Sequence, residues 1–474
     1  MSSRRSPNDL THPPTSKQEL YDRIRKSSRD EVIIDEMIRY GFWPKQTGLP
    51  SDPSAELARM RQVRRELAAS RTEASRLKNV EKILKQRRTE RMKVSRENRE
   101  RSRQKKLLES RLRAEGWRTR RKREILHLGE GVSTGLSRHT TDLARLSNQD
   151  LPHFPDAAAL AAAMGITVGQ LRFLSYSRRV SSVSHYKCFD IPKKTGGVRR
   201  ISAPMPRLKA AQRWVLDHLL VRVPIHDAAH GFRSRCSIVT NAAPHVGADV
   251  VINADLKDFF PSISYRRVLG MFRGLGYSHA IATILTLLCT EPRITEVEMD
   301  GKTWYIARGE RALPQGAPTS PAITNIICRR LDARMAGLCR SLGLAYTRYA
   351  DDLTLSGPID APAGRALRGL HRIIDEEGFT VHPKKTRVMR RGRRHEVTGI
   401  VVNEKLSVER STLRRFRATL YQIEKDGLAG KHWGSSDDLM AAVVGYANFV
   451  NMVDSRRGAP LLAQVKRIQE KHGR

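Results

Sequence analysis

The pattern of apolar and polar positions changes character along the 474-residue chain. Residues 1–17 are polar and contain proline, so we expect them to be disordered. In residues 18–48 the apolar positions have the spacing of a short helix. From about 54 to 125, Gly and Pro are almost absent and the apolar stripe thins after Leu84. This stretch is predicted to be a helix that is polar all round and enters no core.

Beyond residue 125 the pattern becomes that of a packed domain. The Gly-rich segment 127–137 is expected to be a linker, and residues 156–176 predict two short helices, the second capped by Thr167. From about residue 185, strand-like and helix-like segments alternate, which predicts an α+β or α/β domain around a sheet. The clearest segments are a helix at 206–222, a strand at 248–256 and a helix at 264–275.

Charge changes the interpretation of the polar helix. The chain carries a formal net charge of +38, and residues 61–125 hold 25 Lys and Arg against 9 Glu. Such an excess favours a nucleic-acid partner, because phosphate contacts release counterions. A membrane surface would require an apolar face beside the charge, which this segment lacks. Two interpretations of the segment remain open: an RNA-binding arm, and a solvated helix with i,i+4 ion pairs.

The cysteines and the apolar runs indicate the compartment. None of the five cysteines forms a C-x-x-C pair, which disfavours a zinc knuckle. Several lie in apolar runs, as buried free thiols do in a reducing compartment. The N-terminus has no signal-like apolar stretch, and no run reaches about 18 apolar residues. We therefore expect a cytoplasmic protein with no membrane partner.

Two segments place carboxylates at the ends of predicted strands. An apolar run ends at Asp255, and Asp351 and Asp352 lie between two strand-like segments. Acidic residues at a hairpin tip point away from the core, and adjacent carboxylates repel, so the site favours cations. Phosphoryl transfer to a 3′-hydroxyl uses two divalent metals about 3.5–4 Å apart. Asp255, Asp351 and Asp352 are therefore candidate ligands of a two-metal site.

A second Asp-Asp pair differs in its surroundings. Asp437 and Asp438 follow two serines and precede an apolar helix. This context predicts an N-cap and a first-turn charge, not a catalytic pair.

A third segment combines a Gly/Pro-rich loop with a helix. Leu313–Pro318 is followed by a long amphipathic pattern, with Ser320 as the expected cap and Pro321 in the first turn. Small residues in such a loop let the backbone approach a flat partner closely.

Taken together, DLKDFF, LPQGAPTSP and YADD resemble motifs A, B and C of reverse transcriptases, in that order. The resemblance implies an α+β right-hand polymerase with fingers, palm and thumb, using Mg²⁺ in a two-metal site, with Mn²⁺ as a possible substitute. It also implies dNTP substrates and places Phe260 beneath the sugar, where it would exclude a 2′-hydroxyl. The nucleotide-binding residues implied in motifs A and B are Asp258, Phe259, Phe260, Gln315 and Gly316.

Two further segments resemble other parts of these enzymes. FDIPKKTGGVRRISAP is similar to the fingers hairpin that grips the triphosphate, with Lys193 and Arg199 as its cations. GFTVHPKKTRV is similar to motif D, with Lys385 as the catalytic proton donor to pyrophosphate and Lys384 as an equally reachable alternative.

Two short signatures resemble those of bacterial retron reverse transcriptases. NAAPH contains Asn241 and His245, and VTG comprises Val397, Thr398 and Gly399. The resemblance assigns both to RNA binding. Taken singly, the first could be a helix cap with a polar contact, and the second an ordinary strand tripeptide. The likeness covers about 150–455 and is greatest to myxobacterial-type members with long basic extensions.

The resemblance carries a function and a domain plan. Retron enzymes prime from the 2′-hydroxyl of an internal guanosine in their own structured non-coding RNA. They copy part of that RNA into branched multicopy single-stranded DNA, with a role in defence against phage beside an effector protein. We expect a mostly helical basic extension at 1–150, fingers and palm at 151–403, and a helical thumb at 404–474.

Three alternatives fit the sequence less well. A group II intron maturase would carry a longer C-terminal region, and a diversity-generating enzyme would depart from QGAPTSP. A polymerase-derived RNA-binding protein without catalysis would be expected to have lost a carboxylate, whereas all three are present.

Overall fold

The structure is a computed structural model. It describes residues 16–26, 29–42, 63, 66–74, 80–193, 196–434, 436 and 438–472. The disorder expected for 1–17 lies outside the described residues except at 16 and 17, and Lys17 begins the first helix. The chain divides into two compact units, Met1–Arg111 and Leu112–Arg474.

The first unit is helical throughout most of its described residues. It contains α1 (Lys17–Lys26), α2 (Arg29–Arg39) and a further helical stretch at 66–74. The 44-residue α3 (Val80–Arg123) begins in this unit and continues beyond its end. Nearly every described side chain of α3 is exposed. This confirms the prediction of a long helix without a buried face.

The segment after α3 is part of the packed domain. Leu128 and Leu136 are buried in the main core. Gly129 has a φ of +112°, and a Cβ there would collide with the carbonyl oxygen of Ser177. The prediction of a linker at 127–137 is therefore wrong, because its small residues serve close packing. The domain boundary expected near residue 150 falls inside this core.

Three short helices follow in the same core: α4 (Leu143–Ser147), α5 (Ala157–Ala163) and α6 (Val168–Ser175). Thr167 caps α6, and its backbone N–H and side chain exchange hydrogen bonds with Gln170 in a capping box. The two helices predicted at 156–176, and the Thr167 cap, are confirmed.

The remaining helices and the strands alternate as predicted. The helices are α7 (Pro206–His218), α8 (Ile238–Ala242), α9 (Tyr265–Gly274), α10 (His279–Cys289), α11 (Ser320–Ile327), α12 (Arg329–Ser341), α13 (Ala363–Glu376), α14 (Arg410–Asp426), α15 (Leu439–Val453) and α16 (Ser455–His472). The strands are β1 (Val180–Ser181), β2 (Tyr186–Pro192), β3 (Val198–Pro204), β4 (Val250–Asp255), β5 (Glu291–Met299), β6 (Lys302–Ala312), β7 (Ala345–Tyr349), β8 (Asp352–Gly357), β9 (Arg387–Arg390), β10 (Glu396–Val397) and β11 (Ile400–Val401).

Two helix boundaries differ from the sequence pattern. The helix predicted at 206–222 ends at His218 and is followed by a 3₁₀ turn. The long helix expected after the Gly/Pro-rich loop is two helices that meet at Cys328. Thr319, not Ser320, is the N-cap, and the Ser320 hydroxyl instead donates to the Pro314 carbonyl at 2.8 Å, which holds the loop against the helix.

A four-stranded antiparallel sheet in the order β7-β8-β4-β9 forms the centre of the second unit. Its strand β4 is covered on both faces. Val250, Ile252 and Ala254 belong to the main core, whereas Val251 belongs to a second core. This alternation follows from the two-residue period of a strand. A β2–β3 hairpin and a β1-β6-β5 sheet lie outside this centre.

The two cores are formed by different elements. The main core contains α10, in which every residue from Ala280 to Cys289 is buried. The second core is formed by α14, α15 and α16 with Val397 and Ile400, so helices make up most of the described C-terminal region. Cys289, Cys328 and Cys339 are buried free thiols.

Within the described ranges, no single helix is both long and apolar enough to cross a membrane. One pair of helices, Ala157–Ala163 and Val168–Ser175, is bent by 98° and is together long and apolar enough for a span, by length and composition only.

The exposed basic helix generates a prediction about salt. Helix α3 presents Lys and Arg to solvent. A chain starting at Leu112, where the second unit begins, should therefore bind RNA more weakly than the full-length chain at low salt. Each phosphate that the shorter chain no longer neutralises should flatten the log–log salt dependence by about 0.7–0.9. RNA titrations of both chain lengths at several salt concentrations measure this. Identical slopes would assign the helix to protein contacts instead.

Candidate active site

The three predicted carboxylates meet at one end of the central sheet. Asp255 is the last residue of β4 and pairs in register with Asp352, the first residue of β8. Asp351 lies in the turn between β7 and β8, and its carbonyl accepts a hydrogen bond from the Leu256 N–H at 2.9 Å. Ala350 completes the turn with a φ of +57°. The hairpin predicted around Asp351 is thus present, and it adjoins Asp255.

These carboxylates disfavour one another's ionisation. Burial raises the pKa of Asp351, and the neighbouring Asp255 carboxylate raises it further. Asp352 keeps some exposure to solvent at the sheet end. The protein atoms around its carboxylate displace water, and this desolvation raises its pKa to about 7, with the charges of Asp351 and Asp255 as additional causes. The site therefore concentrates negative charge that a cation would stabilise.

Two cations partly offset this charge. The Lys385 ammonium lies 2.8 Å from an Asp255 carboxylate oxygen, and it lowers the pKa of both Asp351 and Asp352. Arg199 also lowers the pKa of Asp351. Lys385 and Arg199, which the sequence placed in separate motifs, are thus electrostatic neighbours of the carboxylates.

The donor set suits a hard divalent cation. Carboxylate oxygens are preferred ligands of Mg²⁺, which commonly uses one or two of them together with substrate phosphates. Among the described residues, no group of three or more His, Cys, Asp or Glu side chains forms a ready-made metal cluster. The three neighbouring carboxylates nevertheless fit an ion that completes its ligands from substrate.

A fully buried arginine holds the turn that carries Asp351 from inside the fold. Arg348 on β7 forms two hydrogen bonds of 2.7 Å with the Asp332 carboxylate on α12, and both side chains are fully buried. It also donates to Asn325 of α11 at 3.1 Å and to the Ala350 carbonyl at 3.0 Å. Asn325 in turn donates to the Gly231 carbonyl at 2.9 Å. One side chain thus joins the turn to both helices.

The Gly/Pro-rich loop lies against the fingers hairpin. The Gln315 carbonyl accepts a hydrogen bond from the Ser202 N–H of β3 at 2.8 Å. Gly316 has a φ of +124°, and a Cβ there would lie 2.9 Å from the Ser202 carbonyl oxygen. This position therefore requires glycine both for its backbone conformation and for space. Gln315 is partly exposed and Gly316 is exposed.

The hairpin cations lie on either side of its tip. The Lys193 N–H donates to the Gly197 carbonyl at 2.9 Å, and Arg199 pairs with Ile191 across the strands. Both side chains are exposed. Both are therefore available to a polyanion, and the electrostatic effect of Arg199 on Asp351 indicates that Arg199 lies near the carboxylates.

The two adjacent phenylalanines occupy different environments. Phe259 is buried, with its ring 5.7 Å from that of Phe379. Phe260 is partly exposed, and its ring lies 6.3 Å from that of Phe232. The structure therefore gives Phe259 a packing role, whereas Phe260 remains accessible. The preceding Asp258 is exposed and has a φ of +47°.

His245 of the first short signature contacts both strands of the β7–β8 hairpin from inside the fold. It is fully buried, and its ring nitrogens lie 2.6 Å from the Ser356 hydroxyl on β8 and 2.8 Å from the Thr347 hydroxyl on β7. Thr347 donates to the Asn241 carbonyl at 3.2 Å. Its hydroxyl therefore accepts from His245, which requires the proton on Nε2. Burial lowers the pKa of His245 to about 4.

The two short signatures contact each other. The buried Asn241 amide lies 3.4 Å from the Thr398 hydroxyl, and Thr398 lies 3.4 Å from the Ile238 carbonyl. Thr398 and Gly399 both have positive φ, whereas Val397 is buried in the second core. Because Asn241 and His245 are inside the fold, their side chains are not a contact surface. RNA binding by these elements stays a prediction, and the exposed Gly399 is its best-placed member.

The residues that support the carboxylates were not predicted from the sequence. Arg348 stands inside the quoted TRYADD segment, but its partner Asp332 is 16 residues away on a helix. A signal was present: Asp332 lies between Leu331 and Met335 on the apolar face of its helix. A charge in that position is buried, and a buried charge requires a partner. Thr347 and Ser356 gave no signal, because small polar residues are common in strands.

Comparisons with known proteins show which family the chain is similar to. The family model described as "Reverse transcriptase (RNA-dependent DNA polymerase)" matches residues 191–409. The retron Mx162 reverse transcriptase of Myxococcus xanthus is 42% identical over 367 residues, covering 72% of this chain and 74% of the relative. The retron Mx65 enzyme of the same organism is 46% identical over 303 residues, covering 64% and 71%. The retron Ec86 enzyme of Escherichia coli is 34% identical over 333 residues, covering 70% and 94%.

The buried ion pair predicts a large loss of stability. Asp332→Asn should lower the free energy of unfolding by about 3–5 kcal/mol, because it leaves the Arg348 charge buried without a counter-charge. The matched control is Glu130→Gln, which removes the exposed 2.9 Å pair with Arg179 and should cost about 1 kcal/mol or less. Urea unfolding measures both. Equal small losses would show that the buried pair contributes no more than a surface one.

The depressed pKa of His245 predicts acid sensitivity. The unfolded chain takes up a proton near pH 6.5 and the folded site only near pH 4, so stability falls as the pH drops through that window. The loss is at most about 3 kcal/mol, from about 1.4 kcal/mol per pKa unit. His245→Gln should be less stable at pH 7.5 but lose less between pH 6.5 and 4. A difference from wild type that is constant with pH, in urea titrations, would contradict this.

Proposed function

Since the chain belongs to the retron reverse transcriptases, we propose that it copies part of a structured non-coding RNA into branched, multicopy single-stranded DNA. It is an RNA-directed DNA polymerase with an α+β right-hand fold and an N-terminal helical region. The observation that carries the proposal is the register pair of Asp255 and Asp352 with Asp351 beside it. An inactive descendant would not be expected to keep all three carboxylates together.

The proposed roles follow from position and charge. Asp255, Asp351 and Asp352 would hold Mg²⁺, or Mn²⁺ in its place. The bound ions would supply stabilisation of the charge that develops on the transferring phosphoryl group. Lys193 and Arg199 would grip the triphosphate of a dNTP. Lys385 would give a proton to the leaving pyrophosphate.

The Lys385 role has a geometric basis. Its ammonium already lies at the carboxylate site, 2.8 Å from Asp255. Lys384 precedes it and is exposed, but no ion pair of Lys384 with these carboxylates is found among the described residues. Of the two lysines left open by the sequence, Lys385 is therefore the better candidate.

Retron-specific priming is the finer part of the proposal. The RNA would be the chain's own structured non-coding RNA, and the first DNA nucleotide would be joined to the 2′-hydroxyl of an internal guanosine. The contact between the NAAPH and VTG signatures supports a family-specific element, because it links the catalytic hairpin to the second core. A defence role against phage, with an unidentified effector, completes the proposal.

The test uses the full chain, the structured RNA encoded beside its gene, dNTPs and Mg²⁺. DNA synthesis should yield a product that stays joined to RNA after denaturation and is released by a 2′–5′ debranching enzyme. Replacing the priming guanosine by its 2′-deoxy form should abolish the product. A linear DNA that debranching does not change would refute the branched product while leaving polymerase activity intact.

The carboxylate assignment predicts selective loss of chemistry. Asp351→Asn or Asp352→Asn should abolish Mg²⁺-dependent primer extension while leaving RNA binding and the fold intact, because a metal ligand is removed and no core packing changes. The control is Asp438→Asn. Asp438 is the residue of this pair that caps α15, through the Ala441 N–H at 2.9 Å, whereas Asp437 lies outside the described residues. Because Asn caps a helix about as well as Asp, the change should cost at most about 1 kcal/mol of stability and no activity. Substantial synthesis by either catalytic variant would overturn the assignment.

The accessible phenylalanine predicts sugar selection. Phe260→Ala should let the enzyme incorporate ribonucleotides more readily, because removing the ring makes room for a 2′-hydroxyl. Primer extension with dNTPs and with rNTPs measures the ratio. Phe259→Leu is the comparison, since it alters only a buried ring and should leave the ratio unchanged. An unchanged ratio in Phe260→Ala would place the steric gate elsewhere.

A further inference from the structure

An open pocket of about 530 Å³ lies where helix α3 ends. Every residue that lines it belongs to the second compact unit, and none belongs to the carboxylate site. One wall is formed by Trp117, Arg121 and Glu124, whose i, i+4, i+7 spacing places them on one face. The volume falls within the range of about 300–1,000 Å³ that is usual for small-ligand sites.

The opposite wall comes from helix α6 and the residues after it. Arg172 and Phe173 lie on the helix, and Tyr176 follows it. Gly169 on the same face contributes no side chain and so leaves the space open. Phe173 is 40% exposed and Trp117 is 56% exposed. Two large rings are thus exposed on facing walls of one concavity.

Arg178 lies over this aromatic wall. Its guanidinium carbon lies 5.0 Å from the ring centroids of both Phe173 and Tyr176. Its Nη1 donates to the Phe173 carbonyl at 3.4 Å. These contacts order a cation at the pocket rim, in the arrangement in which arginine and aromatic rings attract one another.

The charged residues of the pocket indicate the chemical class of its ligand. Three arginines, Arg121, Arg172 and Arg178, face one acid, Glu124. Clustered like charges favour an anionic partner, and exposed aromatic faces favour a flat one. A nucleotide offers both, since its phosphate is anionic and its base has a π-face. The basic helix α3 leads directly to this pocket, so a phosphate backbone following the helix would reach it.

We propose that this aromatic pocket, formed by Trp117, Arg121, Arg172, Phe173, Tyr176 and Arg178, binds one unpaired nucleotide of RNA. The base stacks on the rings while the arginines contact the adjoining phosphate. The choice of RNA rests on the proposed function. The pocket itself is separate from the polymerase site and adds base contact to a region whose other charges recognise only the backbone.

A pocket-filling substitution tests this without removing any packed side chain. A Cβ at Gly169 would meet only the Thr167 hydroxyl at 3.8 Å, so Gly169→Gln should fold normally and extend into the pocket. Gly169→Ala is the matched control, because it adds one methyl group and leaves the space. Both variants keep the rings and the arginines.

The experiment irradiates the full-length protein with a ten-nucleotide oligouridylate that contains 4-thiouridine and maps the cross-linked peptides. We expect a cross-link at Trp117, Phe173 or Tyr176. Its yield should fall about tenfold in Gly169→Gln, the order expected for loss of one stacked base, and stay unchanged in Gly169→Ala. A deoxyuridine oligomer in competition reports whether RNA is preferred to DNA, and equal competition would overturn the RNA assignment.

Three other results would overturn the proposal: no cross-link in the pocket, an undiminished one in Gly169→Gln, or equally strong competition by an abasic oligomer with the same phosphates. Absence of the cross-link would assign the exposed rings to a protein contact. Primer extension on a generic template, measured in parallel, should be the same in both variants. An inactive wild-type enzyme that still gives the pocket cross-link would refute the proposed function and leave this binding site standing.

Discussion

The buried pair of Arg348 and Asp332 is the constraint on which the turn beside the three carboxylates depends. A desolvated charge is tolerated only with a partner and further hydrogen bonds, and here the guanidinium is satisfied by a carboxylate, an amide and the carbonyl of Ala350. Because these partners come from two helices and the turn, the elements cannot move independently without leaving a charge unpaired. The turn that carries Asp351 is therefore tied to both helices through one buried side chain.

A second constraint acts across the sheet. Strand β4 contributes to the main core through one face and to the second core through the other. His245 joins β7 to β8 near the turn that carries Asp351. The second core contains the three C-terminal helices. A displacement of those helices would thus be transmitted to the hairpin through packed side chains and short hydrogen bonds, since packed interiors transmit strain.

The sequence predicted those parts of the site that follow from local pattern. The strand ending at Asp255, the hairpin around Asp351 and the cap at Thr167 are confirmed because each depends on neighbouring residues. The linker prediction for 127–137 was wrong, since glycine signals flexibility and close packing equally well in a sequence. The partners of Arg348 and His245 could not be predicted, because each contact joins residues far apart in the chain.

The family resemblance paired two short signatures that local sequence pattern did not connect, but it did not predict which of their side chains are buried. It brought NAAPH and VTG to attention as a pair, and the structure shows Asn241 and Thr398 in contact. It did not reveal that Asn241 and His245 are buried, because a motif records which residues recur and not which way they face. Conversely, the aromatic pocket belongs to no motif and emerges only from two helices that meet in space.

The pairing of Asp255 with Asp352 has a consequence for the spacing of these two acids. Their separation is set by two hydrogen-bonded neighbouring strands, which lie about 4.8 Å apart in any sheet, and not by a loop. A slip of one residue along β8 would turn Asp352 to the opposite face. The distance between these two acids is therefore fixed by the pairing of the backbone strands and not by the conformation of a loop.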